Sequence, residues 1–219
     1  MMTRLFILIC YFGICHLNAQ NIDKDLLEVQ HRLDTIQSFS ALVELNVDIS
    51  FINIPVKHAK IEYTKNEETK VFSEDFVLIP KKGLDVSLYQ LFKNPFITVD
   101  RGTASRHNKT YKALNIIPTN RKADFSIATV LIDTFTNRIV EYEINTKKDG
   151  SYLVSMQYTN DISLLPISIE VKFEIERVRI PLKYMGRDAD IDKDSYKSEE
   201  VKTGTIHIGF NYTEILYFH

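Results

Sequence analysis

The chain has 219 residues, of which 44% are hydrophobic, and its 29 acidic residues nearly balance 27 lysines and arginines to give a net charge of −2. A charge this close to zero excludes a strongly basic nucleic-acid-binding protein and gives no reason to expect attraction to an anionic membrane. The two cysteines, Cys10 and Cys15, both lie in the N-terminal apolar segment. Beyond that segment the sequence therefore excludes disulfides, thiol catalysis and cysteine zinc sites.

The first residues predict a secretory signal peptide over residues 1–19. Arg4 supplies the positive charge, residues 5–14 form an apolar run of the usual signal length, and Leu17-Asn18-Ala19 is typical of a cleavage site, with cleavage expected after Ala19 or Gln20. An uncleaved anchor is the alternative. The apolar run is shorter than the about 20 residues that a membrane-spanning helix needs, and no later segment is long and uncharged enough either.

The next segment predicts one amphipathic helix from residue 23 to about residue 37. Its apolar side chains recur at helical spacing along one stripe, with polar residues on the opposite face: Leu26, Val29, Leu33 and Ile36. This helix has an apolar side that must be buried against something.

From residue 39 onward the pattern is that of strands. Residues 43–51 alternate apolar and polar side chains without a break, and residues 167–175 do the same, so each strand has one apolar and one polar face. The predicted strands are residues 40–53, 57–64, 70–79, 95–100, 111–117, 125–133, 138–146, 151–158, 166–178 and 204–216. Residues 84–92 are expected to be irregular or helical, residues 102–108 a loop, and residues 183–203 a mobile polar loop.

Residues 20–219 have the usual length of one all-β domain. Burying a large apolar side chain is worth roughly 1.5–3 kcal/mol, so a sheet with a whole apolar face cannot leave that face in water. We therefore predict a mainly β (α+β) fold, in which a single curved antiparallel sheet forms an open, incomplete β-barrel around the N-terminal helix.

The order of segments is distinctive. An early helix leads into Ser38-Phe39-Ser40. A central hairpin joins Ala128-Thr129-Val130-Leu131-Ile132-Asp133 to Arg138-Ile139-Val140-Glu141-Tyr142, and Tyr158 precedes Leu164-Leu165-Pro166. Together with the signal peptide, this order resembles the bacterial lipoprotein-sorting family, the LolA-like periplasmic carriers of outer-membrane lipoproteins. The resemblance implies an exported periplasmic protein whose concave sheet face holds acyl chains or another apolar molecule.

The resemblance also implies a ligand-binding wall on the concave face. Its candidate residues come from the apolar faces of the predicted strands: Val43, Leu45, Val47, Ile49, Phe51, Ile61, Tyr63, Val140, Tyr142, Ile144, Ile169, Val171 and Phe173. The alternative for each of them is that it packs against the helix as ordinary core.

One acidic segment imitates a calcium-binding loop. Its candidate ligands alternate along the chain and end in a glutamate: Asp188, Asp190, Asp192, Asp194 and Glu199. The position that needs glycine for a sharp turn is Lys193, and no helices flank the segment, so a solvated loop without metal is the alternative.

No pattern of catalytic residues stands out, and no two histidines have metal-binding spacing. We therefore expect no enzymatic activity and no cofactor. The first hypothesis is a monomeric carrier of a lipid or acylated lipoprotein that does not span the membrane or bind nucleic acid, with an envelope protein as a further partner. The alternative is a structural or interaction module of the cell envelope whose core is filled by the chain itself. A hydrolase would need a histidine, a serine and an aspartate brought together by the fold.

Overall fold

The computed structural model describes residues 22–50, 52–73, 89–147, 150–160, 162–175, 190–192 and 201–218. Within these residues the chain forms two helices, α1 (Lys24–Asp34) and α2 (Tyr89–Phe92), and twelve strands. The strands are β1 (Ile36–Ile49), β2 (Ile52–Asn53), β3 (Lys57–Thr64), β4 (Lys70–Phe72), β5 (Phe96–Arg106), β6 (Lys109–Pro118), β7 (Phe125–Asp133), β8 (Arg138–Thr146), β9 (Ser151–Gln157), β10 (Ser168–Ile175), β11 (Asp190–Ile191) and β12 (Lys202–Tyr217). The predicted signal peptide lies outside the described residues.

The described strands form one antiparallel sheet. Their order is β11-β2-β1-β12-β10-β9-β8-β7-β6-β5, and β3 pairs with β1 while β4 pairs with β3. Among the described strands, the sheet ends at β5 on one side and at β11 and β4 on the other. These end strands do not pair with each other, so the described sheet is not closed into a barrel. The predicted fold class, an open curved antiparallel sheet with one short N-terminal helix, is confirmed.

One face of the sheet carries the hydrophobic core, and we call it the inner face. Strand register aligns its apolar side chains in rows that cross the sheet, for example Val47, Ile206, Val171, Val154, Tyr142, Val130 and Leu114. Leu26 and Val29 of α1 and Leu91 of α2 are buried in the same core. The face with the intervening, mostly polar residues is the outer face.

Helix α1 is shorter than predicted. Asp23 caps its start by accepting a hydrogen bond from the Asp25 backbone N–H at 2.9 Å, and the helix ends at Asp34. The prediction that Ile36 belongs to the helical stripe is wrong, because Ile36 is the first residue of β1 and pairs with Tyr217. The long pairing of β1 with β12 overrides the helical period, which is a local signal only.

The prediction of a loop over residues 102–108 is also wrong. Strand β5 continues to Arg106 and turns into β6 through His107 and Asn108, whose φ angles are 47° and 62°. Two consecutive residues with positive φ make a tight turn that fits the twist of a hairpin. Gly102, with φ 79°, lies where the β5–β6 register shifts.

The central hairpin contains a register shift that the sequence pattern did not show. The pairing of β7 with β8 shifts between Leu131 and Ile132, so that Ile132 pairs with Ile139. Both of these residues are fully buried, while Val140 is only partly buried. Ile139, not Val140, therefore fills the core at this point, which corrects the predicted alternation.

The polar segment at residues 183–203 was predicted to be a mobile loop. Its described part includes β11, which pairs with β2, and the start of β12 at Lys202. The prediction of loop structure is therefore wrong for these residues. The predicted strand over residues 70–79 is observed as β4, and residues 74–79 lie outside the described part of the chain.

Candidate functional site

The structure divides the candidate wall residues into two groups. One group is buried in the core: Val43, Ile49, Ile61, Tyr142, Ile169, Val171 and Phe173. The other group is only partly buried: Leu45, Val47, Tyr63, Val140 and Ile144. Phe51 lies outside the described residues. The inner face is therefore already covered by the chain over much of its area, and only a part of it is accessible.

The accessible part forms a continuous apolar strip. Leu45 and Val47 lie on the same face of β1, Val47 pairs with Ile206 of β12, and Tyr152 of β9 pairs with Ile144 of β8. All five side chains are partly buried. We call these five residues the inner strip.

Strand β10 closes the gap in the middle of the inner strip. Its buried Val171 pairs with Ile206, and its buried Phe173 pairs with Tyr152. The strip therefore crosses five neighbouring strands, β1, β12, β10, β9 and β8, without a polar side chain on this face. At about 4.8 Å per strand its length is about 19 Å.

Helix α1 is anchored away from the inner strip. The Asp23 backbone N–H donates to Thr98 Oγ1 of β5 at 2.8 Å, and Lys112 Nζ of β6 donates to Asp23 Oδ2 at 2.6 Å. The Arg32 guanidinium donates to the Thr136 carbonyl in the β7–β8 turn. These bonds tie the helix to β5, β6 and the β7–β8 turn, none of which carries a residue of the inner strip.

At the start of α1 the pKa values of Asp23 and Lys112 are shifted. Burial raises the pKa of Asp23, but the hydrogen bond and charge of Lys112 and the N–H groups of Asp25 and Leu26 outweigh burial, so the pKa lies below its usual value. Burial lowers the pKa of Lys112, but hydrogen bonds and charges from Asp23 and Asp25 outweigh it and raise the pKa. The helix start is thus held by charges that stay ionised at neutral pH.

An aromatic cluster occupies the inner face at the other end of β1. The rings of Phe39 and Tyr63 stack with centroids 5.0 Å apart, and Tyr212 meets Phe39 edge-on at 5.5 Å. Phe210 stacks on Tyr212 at 5.9 Å. The Tyr212 hydroxyl donates to the Pro166 carbonyl at 2.9 Å. Tyr63, a candidate wall residue, is therefore engaged by neighbouring rings.

Two cavities of the described chain are lined mainly by outer-face residues. One of about 1390 Å³ is lined mainly by outer-face residues, among them Leu42, Glu44, His58, Lys60, Phe72 and Asn211. The other, of about 610 Å³, is lined by outer-face residues such as Asp48, Glu143 and Lys172 and also by Tyr152 and Phe173 of the inner face. The first cavity has exposed apolar side chains, among them Leu42, Phe72 and Ile167, beside its charged ones, and most residues that line the second are polar or charged.

The calcium candidates are only partly visible. Asp190 belongs to β11 and pairs with Asn53, and Asp192 follows this strand, while Asp188, Asp194 and Glu199 lie outside the described residues. Among the residues that the structure describes, no group of three or more His, Cys, Asp or Glu side chains is placed to hold a metal ion.

The described helices are also too short to cross a membrane.

Two residues of the inner strip, Tyr152 and Ile206, were not among the sequence candidates. Both have the alternation that placed them on an apolar strand face, so the sequence contained the signal that they share a face with the others. The sequence could not show which strands are neighbours, and only the pairing of β12 with β1 and β10 brings Ile206 into the strip.

Comparison with known proteins gives neighbours among solved structures. No family model and no curated protein matches the sequence. The chain is similar to solved LolA superfamily and lipoprotein-sorting structures. A LolA superfamily protein from Nitrosomonas europaea has 10% identity and a TM-score of 0.46, and the match covers 89% of this chain and 94% of that one. A putative outer membrane lipoprotein-sorting domain from Vibrio parahaemolyticus has 11% identity and a TM-score of 0.47, with 88% and 91% covered.

A further neighbour is a DUF1329 family protein from Desulfovibrio piger, with 10% identity, a TM-score of 0.45, and 88% and 90% of the two chains covered. The family that the sequence pattern resembles is therefore found among the structural neighbours.

Proposed function

We propose that the protein is an exported, non-enzymatic binding protein of the bacterial cell envelope that holds a linear apolar chain, the acyl chain of a lipid or lipoprotein, on the inner strip. The observation that carries this proposal is the strip itself. Its five partly buried apolar residues, with the buried Val171 and Phe173 of β10 between them, form a row across the sheet on the face that otherwise forms the core.

The shape of the strip favours a long, narrow ligand. Its length of about 19 Å is comparable with an extended fatty-acyl chain. A hydrocarbon laid along Val47, Ile206, Tyr152 and Ile144 would displace water from the apolar surface of the strip and from its own surface. Each methylene buried in this way contributes about 0.8 kcal/mol, so a chain gains affinity with length even without a polar contact.

The mechanism would be passive. The ligand enters where the inner face is accessible and leaves when a partner offers a more favourable apolar surface. No bond is made or broken, and no cofactor takes part. The signal peptide predicted from the sequence supports export to the periplasm, where acylated proteins and lipids meet soluble carriers.

The burial of the other candidate wall residues favours the second hypothesis, a self-filled interaction module. Val43, Val171 and Tyr142 are each 4% exposed or less, so the chain already supplies their contacts. The two functions differ in what the inner strip does: in a carrier it exchanges water for ligand, and in a module it stays hydrated or packs against the chain.

A titration with a fluorescent fatty acid tests the proposal. We expect saturable binding at one site, displaced by unlabelled palmitate. The substitution Val47→Thr puts a hydroxyl into the strip at nearly unchanged volume and should weaken binding several-fold. The matched control is Val99→Thr, because Val99 lies on the outer face of β5 and is 43% exposed. Absence of saturable binding, or equal binding by the Val47→Thr variant, would refute the carrier function and leave the module.

A further inference from the structure

Two large apolar side chains project from one end of the molecule almost fully into solvent. Phe135, in the β7–β8 turn, is 86% exposed, and Ile162, in the loop after β9, is 81% exposed. The other exposed large hydrophobic residues of the described chain are at most 52% exposed. Isolated apolar residues on a surface are common, but two with this exposure on adjacent loops are not explained by folding.

Both loops hold the apolar residue in the same way. The Asp133 carboxylate accepts hydrogen bonds from the backbone N–H groups of Phe135 at 3.0 Å and Thr136 at 3.1 Å. The Asn160 side-chain oxygen accepts from the N–H groups of Ile162 and Ser163, each at 3.0 Å. In each case a side chain two positions earlier accepts hydrogen bonds from the backbone that carries the apolar side chain.

One buried arginine joins the two loops. Arg138, at the start of β8, is 8% exposed and donates to the carbonyls of Asn160 at 2.5 Å and Ser163 at 3.2 Å. Its guanidinium also lies 4.4 Å from the centre of the Tyr158 ring. The turn that carries Phe135 and the loop that carries Ile162 are therefore fixed relative to each other on the same end of the sheet.

The amount of apolar surface decides what kind of partner fits. A stable protein interface buries about 800 Å² on each partner. Phe135 offers at most the area of one aromatic side chain, about 150–250 Å², and Ile162 adds a smaller one. Entry of an apolar side chain into a lipid interface needs no matching shape, and two such side chains on neighbouring loops give a weak, reversible attachment.

We propose that Phe135 and Ile162 form a two-residue anchor that inserts into the interfacial region of a phospholipid bilayer. Two charged side chains contact the turn that carries Phe135. The Arg32 guanidinium donates to the Thr136 carbonyl, and the Asp133 carboxylate accepts from the Thr136 N–H. The charges near the anchor are thus of both signs, and apolar insertion rather than attraction to anionic lipid drives the attachment. This anchor goes beyond the proposed ligand binding and does not depend on it.

The chain contains no tryptophan, which allows a direct test. In the variant Phe135→Trp the single indole reports its own surroundings. With phosphatidylcholine vesicles we expect a blue shift of its emission and quenching by brominated lipid. The matched control is Phe72→Trp, because Phe72 is 51% exposed at the β4 edge of the sheet, away from the anchor. Unchanged emission at position 135, or an equal shift at position 72, would overturn the proposal.

A second measurement uses the loss of the anchor. The double variant Phe135→Ser/Ile162→Ser should lower the vesicle partition coefficient about tenfold or more in co-sedimentation, while Leu42→Ser, which removes a half-exposed apolar residue of the outer face, should leave it unchanged. Adding phosphatidylglycerol should change binding little. Equal partitioning of the double variant and the unmodified protein would overturn the anchor. Fatty-acid binding is measured without vesicles, so either proposal can fail alone.

Discussion

The ring of Phe173 occupies the space that a side chain at position 204 would need. A Cβ built on Gly204 would lie 2.5 Å from Phe173 Cζ and 2.7 Å from Ile49 Cγ1. Strand register explains the contact, because Gly204 pairs with both Ile49 of β1 and Phe173 of β10. The absence of a side chain on β12 lets the two neighbouring strands cover this part of the inner face.

The substitution Gly204→Ala should therefore destabilise the protein by about 1–3 kcal/mol, because a methyl group must displace a buried ring. The measurement is the midpoint of urea unfolding. Gly209→Ala, five residues along the same strand, is the matched control: its Cβ would meet Glu44 Cβ at an ordinary 3.9 Å, so a small effect is expected. Equal effects of the two substitutions would contradict the steric explanation.

The anchoring of α1 predicts a dependence of stability on pH. Because the pKa of Asp23 is lower in the folded protein, its contribution is present above the unfolded value of 3.8 and is lost as the pH falls through the folded value. Because the pKa of Lys112 is raised, its contribution is present below 10.5 and is lost as the pH rises through the folded value.

The variant Lys112→Met should remove this contribution. We expect the difference in unfolding free energy between the unmodified protein and the variant to be largest near neutral pH and to shrink at both extremes. Urea unfolding across the pH range measures it. Glu62 is paired with Lys60 on the exposed surface at 2.6 Å, so Lys60→Met is a control that should cost little. A constant difference across the pH range would exclude the ion pairs as its cause.

The buried hydroxyl of Tyr212 gives a third prediction. Tyr212→Phe leaves the Pro166 carbonyl without this donor and should cost about 1 kcal/mol. Burial, with smaller contributions from Tyr158 and Tyr217, raises the pKa of Tyr212 above 10.0 in the folded protein. Unfolding therefore releases a proton above pH 10.0, so stability that is present below this pH is lost as the pH rises.

The Tyr212→Phe variant should consequently lose less stability than the unmodified protein between neutral and strongly alkaline pH. Chemical unfolding at the two conditions compares them. A parallel loss in both proteins would show that Tyr212 does not contribute to alkaline unfolding.

The β5–β6 turn gives a fourth prediction. Asn108 has φ 62°, a conformation that costs most side chains about 1–2 kcal/mol but costs glycine almost nothing. Asn108→Ala should lower the free energy of unfolding by about 1 kcal/mol, while Asn108→Gly should leave it nearly unchanged. Thermal unfolding compares the two variants. If alanine is tolerated as well as glycine, the turn does not require positive φ at this residue.

Alternation along the chain was sufficient to predict strands β3, β7 and β8 nearly to the residue, because each has polar turns at its ends and one buried face. The same local signal failed at Ile36. That residue continues the helical stripe of α1, but the pairing of Ile36 with Tyr217 joins residues 181 positions apart, and such a contact leaves no trace in the local pattern.

For the candidate site, the sequence by itself determined which residues share the apolar face, except at the β7–β8 register shift, because a strand presents alternate side chains to the same side. It could not determine which of those residues are covered. Val171 is buried and Ile206 beside it is not, and this difference depends on neighbouring strands and on where α1 is anchored. Burial is a property of contacts between distant segments, and only the tertiary structure supplies those contacts.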